Sequence, residues 1–231
     1  LTTTLRSIPV FVFVLFLVAS VGVLATTQAA TQYTIPVHPI KLGSQVGVAI
    51  PAEPAWAHQA VLDAMGIWNQ AQEWFKQSYF PNGSTFNFTE SPSGVTHVIF
   101  QYLVDAYCGS TGYDVRLALT NGDNQTLSPL EVRTCALHEF GHLLGLEHTQ
   151  VPYDLMNAQV LWIGNSPSTL DLYALHIASE GLTSRKIVAL PSSIPYMTVP
   201  EEALPEFPIA SEIIATLALV LAFALLKRRR F

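Results

Sequence analysis

The chain has 231 residues, of which 50% are hydrophobic and only 12% charged, with a formal net charge of −6. Between two apolar ends, residues 31–204 carry six basic and fifteen acidic side chains, a net of −9. That acidity excludes nucleic acid and anionic lipid as partners of the central part, since both need a cationic footprint, and the length suits one domain with one core.

Arg6 precedes the apolar run IPVFVFVLFLVASVGVLA (8–25), and TTQAA follows it. A basic residue, an apolar stretch and small residues in that order predict an export signal over 1–30, cleaved after Ala25, Ala29 or Ala30. The same run is just long enough to span a bilayer if it stays uncleaved. Sequons at Asn82, Asn87 and Asn124 are compatible with export. In an oxidising compartment the two cysteines, Cys108 and Cys135, are expected to form a disulfide in preference to two free thiols.

VGVAI (46–50) alternates apolar and small residues, which predicts a strand stopping at Pro51. Pro54 suits the first turn of a long helix in which Ala57, Ala60, Val61, Ala64, Trp68, Ala71 and Phe75 make one stripe. After the PNGS break (81–84) come a short strand at 86–89, a turn at 91–94 and a strand at 95–104. His97 lies in that last strand and joins no site. VRLAL (115–119) alternates again, with Val115, Leu117 and Leu119 on one side, before the turn at 121–124.

A helix starting near Ser128 and Pro129 then carries HEFGHLLGLEH (138–148). His138 and His142 are four residues apart, so both imidazoles leave one helix face within reach of one metal ion. Glu139, one residue further round, borders that ion without being a ligand, which is where a general base for water must stand. Gly145 lets the chain reverse, and His148 returns as a third ligand. Three neutral nitrogens leave one zinc position open, as a catalytic site requires and a closed structural site does not. Two other readings stand beside this one: zinc held for stability alone on a surface binding protein, and a zinc hydrolase with a non-peptide substrate.

A last helix is expected over about 170–180, with Ser168 and Asp171 at capping-box spacing, Gly181 as its stop and His176 in a structural role. From Pro191 to Pro208 five prolines and no period predict an extended stalk, taken as 187–208. The apolar run 209–226 and the cluster Lys227–Arg230 predict a membrane-spanning end with the bulk of the chain outside.

The stretch 138–148 resembles the metzincin pattern HExxHxxGxxH, and Met156, in VPYDLMNA, falls where that clan carries its methionine turn. Within the clan the chain is most similar to the matrixin catalytic domain over about 40–182. AVLDAMGIWNQA (60–71), the strand before the acidic, Gly-containing loop (98–114) and LDLYAL (170–175) occur in matrixin order.

The resemblance implies an α+β, zincin-like domain over 31–186: a small twisted, mainly parallel sheet with an antiparallel edge strand, a long N-terminal helix, the zinc-motif helix and a C-terminal helix. It implies a zinc endopeptidase in which His138, His142 and His148 hold Zn2+, Glu139 activates water and Met156 floors the site. Protein or peptide substrates would pair with an edge strand at Val115, Leu117 and Leu119, with a side-chain pocket near Val160–Ile163. Asp105, Asp114 and Asp123 are candidate Ca2+ ligands, or equally solvated loop acids. The short interval between signal and domain implies no cysteine-switch propeptide. PEF (205–207), followed by an apolar run and a basic cluster, resembles an archaeosortase sorting signal, with a plain transmembrane anchor as the alternative. Either end places the domain on the cell surface.

Overall fold

The structure is a computed structural model that describes residues 32–40, 42–102, 109–111, 114–159 and 166–204. In chain order these hold β1 (Thr34–Val37), β2 (Gln45–Ala49), α1 (Ala55–Tyr79), β3 (Asn87–Glu90), β4 (Thr96–Gln101), β5 (Gly109–Thr111), β6 (Val115–Ala118), α2 (Pro129–Leu143), α3 (Thr169–Ser179) and β7 (Lys186–Ala189). A 3-10 turn follows at Glu201–Ala203.

The main sheet has five strands in the order β3-β2-β4-β6-β5. All of its pairs are parallel except β5 with β6, so the mainly parallel sheet with an antiparallel edge strand is present as expected. α1 and α2 pack on each other and on this sheet. Every member of the apolar stripe read on α1 is buried, from Ala57 to Phe75. Trp68 is the pivot of that packing: it is 0% exposed, and its indole Nε1 donates to the Leu137 carbonyl of α2 at 2.9 Å. Pro54 caps α1 from just outside the helix rather than lying in its first turn.

Both later helices start on the residues that the sequence marks. Ser128 and Glu131 exchange hydrogen bonds across the N-terminus of α2, with Pro129 at its first position, and Ser168 and Asp171 do the same for α3. Each cap is worth about 1 kcal/mol and sets where the helix begins, hence which face the histidines of α2 present.

Three features differ from expectation. Val115–Ala118 is not an edge: β6 lies between β4 and β5, and Val115, Leu117 and Leu119 are 0–2% exposed. Alternation along a strand reports which side chains face the core, whereas edge position depends on pairing within the sheet plane, and here the three-residue β5 takes that place. β1 and β7, unforeseen, form a separate antiparallel ribbon with Thr34 opposite Ala189.

Finally, the described part of the Pro-rich stretch does not stand away as a stalk. Residues 190–199 lie along the domain: Leu190 N donates to Tyr33 O, Val199 N to Pro167 O, and Thr169 N to Met197 O. Ile194 and Val199 are buried, at 6% and 3% exposure. Prolines here stiffen an extended strap whose apolar side chains find the core.

Among the described residues no helix is long and apolar enough to cross a membrane. The runs 8–25 and 209–226 lie outside those residues, as do Cys108, Asp105, Val160–Ile163 and the PEF tripeptide.

Candidate metal centre

α2 carries His138 and His142 on the side that faces the loop returning from Gly145, and Glu139 next to His138. The helix ends at Leu143, and the chain reverses through Gly145 at φ +90°, a conformation that favours glycine. Gly145 N donates to His142 O and Leu146 N to Gly141 O, closing the helix end in the manner of a glycine C-cap. A side chain at 145 would also strike the backbone just after β1, since its Cβ would stand 2.7 Å from His38 O.

That reversal delivers His148 to the other two imidazoles. His148 Nε2 is 3.2 Å from Nε2 of His138 and 3.2 Å from Nε2 of His142. Zinc–nitrogen bonds of about 2.0–2.1 Å at tetrahedral angles put neighbouring donor atoms about 3.3 Å apart, so the spacing fits a zinc ion. The chemistry of the donors fits as well. Nδ1 of His138 is 2.7 Å from Leu155 O, and Nδ1 of His142 is 2.7 Å from Leu146 O. A carbonyl can only accept, so both Nδ1 atoms carry the proton and both Nε2 lone pairs are free for a metal.

Protonation favours the same state. Burial lowers the His138 pKa to about 4, and burial lowers those of His142 and His148 too. All three imidazoles are therefore neutral near pH 7, as ligands must be. Exposure is graded from one side: His138 is buried, His142 is intermediate and His148 is exposed, so the site opens toward solvent at its third ligand.

Glu139 is 4% exposed on the same helix. Its side chain lies against the backbone of β5, where a Cβ on Gly109 would be 2.8 Å from Glu139 Cγ and 3.0 Å from its Oε1. The carboxyl group thus sits against the outer strand of the sheet. Met156 is fully buried. The loop that carries it is closed by Thr149 N donating to Met156 O at 2.9 Å. Within it Met156 N donates to Asp154 Oδ1, and the Met156 sulfur packs at Gly141.

His138, His142 and His148 are therefore gathered in one place, and Met156 packs against Gly141 of the same helix. Val115, Leu117 and Leu119 are interior core. Cys135 is buried on α2, one turn before His138, while its expected partner lies outside the described residues. Asp114 pairs with His97 at 3.4 Å, and Asp123 sits in an exposed turn, so these two are not gathered with the histidines. Sequence reading missed Leu146 O and Leu155 O, which act through backbone and leave no side-chain signal. It also missed Gly109, set in a strand with no hydrophobic period.

Three neutral imidazoles spaced for one tetrahedral ion, two on a helix packed against a mainly parallel sheet and the third on the loop that follows it, define a candidate metal centre of the zincin kind. The matrixin (peptidase M10) family model matches residues 50–172, more than half of the chain, and the chain belongs to that family of zinc metallopeptidases. No curated protein sequence matches it. One similar solved chain is from the "GM1 bound form of the ECX AB5 holotoxin", with TM-score 0.45 and 14% identity, covering 63% of this chain and 88% of that one. Nothing about function passes between the two at that level.

Proposed function

We propose that this chain is an exported, cell-surface zinc endopeptidase with Glu139 as its general base. The observation that carries the reading is the set of three Nε2 atoms, each of two pairs 3.2 Å apart, with the Nδ1 protons of His138 and His142 committed to carbonyls. Zinc held by these residues supplies Lewis acidity toward a water molecule and toward the scissile carbonyl.

Glu139 takes the proton of that water and passes it to the leaving amine. Its burial beside Gly109 supports this reading, because it holds the carboxylate beside the strand along which substrate would lie. That strand is β5: among the described residues it is hydrogen-bonded only to β6, so its outer edge can accept an extended peptide by strand addition. Met156 acts by packing, as a floor that keeps the Leu155 carbonyl on His138.

The export signal at 1–30 and the apolar, basic C-terminal run support a location outside the cell with the C-terminus in or processed at the membrane, by an archaeosortase-type enzyme or as a plain anchor. In that compartment Cys108 and Cys135 form a disulfide that tethers the residue before β5 to the motif helix.

Glu139→Gln tests the mechanism. The variant retains zinc and cleaves a protein substrate at least about a hundredfold more slowly, within the usual cost of losing a general base. Cleavage at the wild-type rate would refute the assignment.

A further inference from the structure

The family match ends at residues 50 and 172, yet several supports of the metal centre come from outside those limits. The first is β1. His38 N donates to Gly145 O at 2.8 Å, Glu147 N donates to Pro36 O at 2.9 Å, and the Thr149 hydroxyl donates to Thr34 O at 2.7 Å. The loop that presents His148 is thus laid along β1 as though it were a further strand, and β7 holds the other edge of β1.

The second support is ionic. Arg185, immediately before β7, forks onto the Glu147 carboxylate, with Nη2 at 2.8 Å from Oε2 and Nε on Oε1. His38 Nε2 meets the same carboxylate at 2.7 Å. Glu147 is the residue next to His148, so the fork fixes the loop at its third ligand. A bidentate pair constrains direction as well as distance, which a single charge contact does not.

The third support reaches the methionine turn. The Tyr196 hydroxyl, on the strap, donates to Asp154 Oδ2 at 3.0 Å, while Asp154 Oδ1 accepts Met156 N at 2.9 Å. Leu155, between them, supplies the carbonyl that orients His138. Tyr196 also stacks on Tyr33, with ring centroids 4.2 Å apart and planes 15° apart, which joins strap to β1. Both flanks therefore meet each other and then contact the loop that carries His148 and the turn whose Leu155 carbonyl meets His138.

We propose that β1 and residues 185–199 form one brace that positions His148 and the Met156 turn for metal binding, with Arg185 and Tyr196 as its two positioning residues. The inference rests on the zinc site argued above. It adds that the matched region alone does not complete that site.

The test uses the full chain as wild type, Arg185→Met, Tyr196→Phe and the double variant. Zinc affinity is measured by competition with a chromophoric chelator, the cobalt-substituted proteins are compared by visible absorption, and the zinc-free proteins are melted. Loss of a support beyond the ligands typically weakens metal binding by about tenfold or more, and the double variant is expected to show that loss. Its cobalt spectrum is expected to change in shape and intensity, a signature that lowered fold stability alone does not produce. Arg185→Lys keeps the charge and cannot span both carboxylate oxygens, so it is expected to share the loss seen in Arg185→Met. Wild-type affinity and an unaltered cobalt spectrum in the double variant would overturn the brace while leaving the zinc site standing. A wild-type chain that binds no zinc would overturn the site and the brace together.

Discussion

Gly141, between Glu139 and His142, offers a sharp test of how tightly the floor of the centre is packed. A Cβ there would overlap the Met156 sulfur, stand 3.0 Å from Met156 Cε and lie 3.4 Å from Trp68 Cζ2. Neither neighbour has free space, because Met156 and Trp68 are both 0% exposed, and Trp68 is further held by its bond to Leu137 O. Two effects compete in Gly141→Ala. Replacing glycine by alanine inside a helix stabilises by about 1 kcal/mol, whereas forcing an extra methyl group into a filled core costs about 1–3 kcal/mol. With backbone and indole fixed on one side, Met156 must give way, and overpacking wins by about 1 kcal/mol. For a domain of this size that lowers the melting temperature by about 2–4 °C. Met156 directly follows Leu155, whose carbonyl meets His138, so displacing its side chain is expected to lower zinc affinity as well. Circular dichroism melts with and without zinc, together with chelator competition, measure both. A variant that melts higher than wild type would refute the reasoning, since helix propensity would then have won in a site argued to be full.

Further outcomes follow from the same geometry. Gly109→Ala is expected to keep zinc but lower kcat/KM by about ten- to a hundredfold, because its Cβ would sit 2.8 Å from Glu139 Cγ and 2.7 Å from Arg116 O. Steady-state kinetics beside a zinc assay check this, and unchanged kinetics would dissociate β5 from the base. Stability of the zinc-free protein should fall with acid. The His138 pKa lies at about 4 when folded, because of burial, against about 6.5 in the unfolded chain. The unfolded chain therefore binds the proton first as pH falls, and the contribution, complete above pH 6.5, is lost down to about pH 4, about 3 kcal/mol in all. Asp171, buried beside Asp154 with a raised carboxyl pKa, contributes in the opposite sense. The urea-unfolding difference between wild type and His138→Gln across that window isolates the histidine, and a difference independent of pH would contradict the assignment. The mass of the exported chain is expected to rise by two hydrogens on reduction, and an unchanged mass would remove the Cys108–Cys135 disulfide.

Much of the centre was readable because its logic is local. A spacing of four from His138 to His142 decides a shared helix face, and Ser128 and Pro129 mark where that helix begins. Gly145 announced the reversal that its φ of +90° requires. The readings that differed depend on pairing between residues far apart in the chain. β1 and β7 are four-residue strands whose partners lie some 150 positions away, a pairing that no local pattern reports. The edge role passed from Val115–Leu119 to Gly109–Thr111 because alternation speaks of the sheet faces and is silent about its margins. The strap looked like a linker since its buried side chains, Ile194 and Val199, are set among prolines at no regular spacing. Leu146 and Leu155 contribute carbonyl oxygens, which every residue has, so only the folded backbone distinguishes them.

The most direct test of the central claim is X-ray absorption at the zinc edge, with metal analysis, on the purified chain. One zinc per chain is expected, with three imidazole nitrogens at about 2.0–2.1 Å and a light-atom donor completing the tetrahedron. Sub-stoichiometric metal in correctly folded protein, or sulfur among the donors, would contradict it.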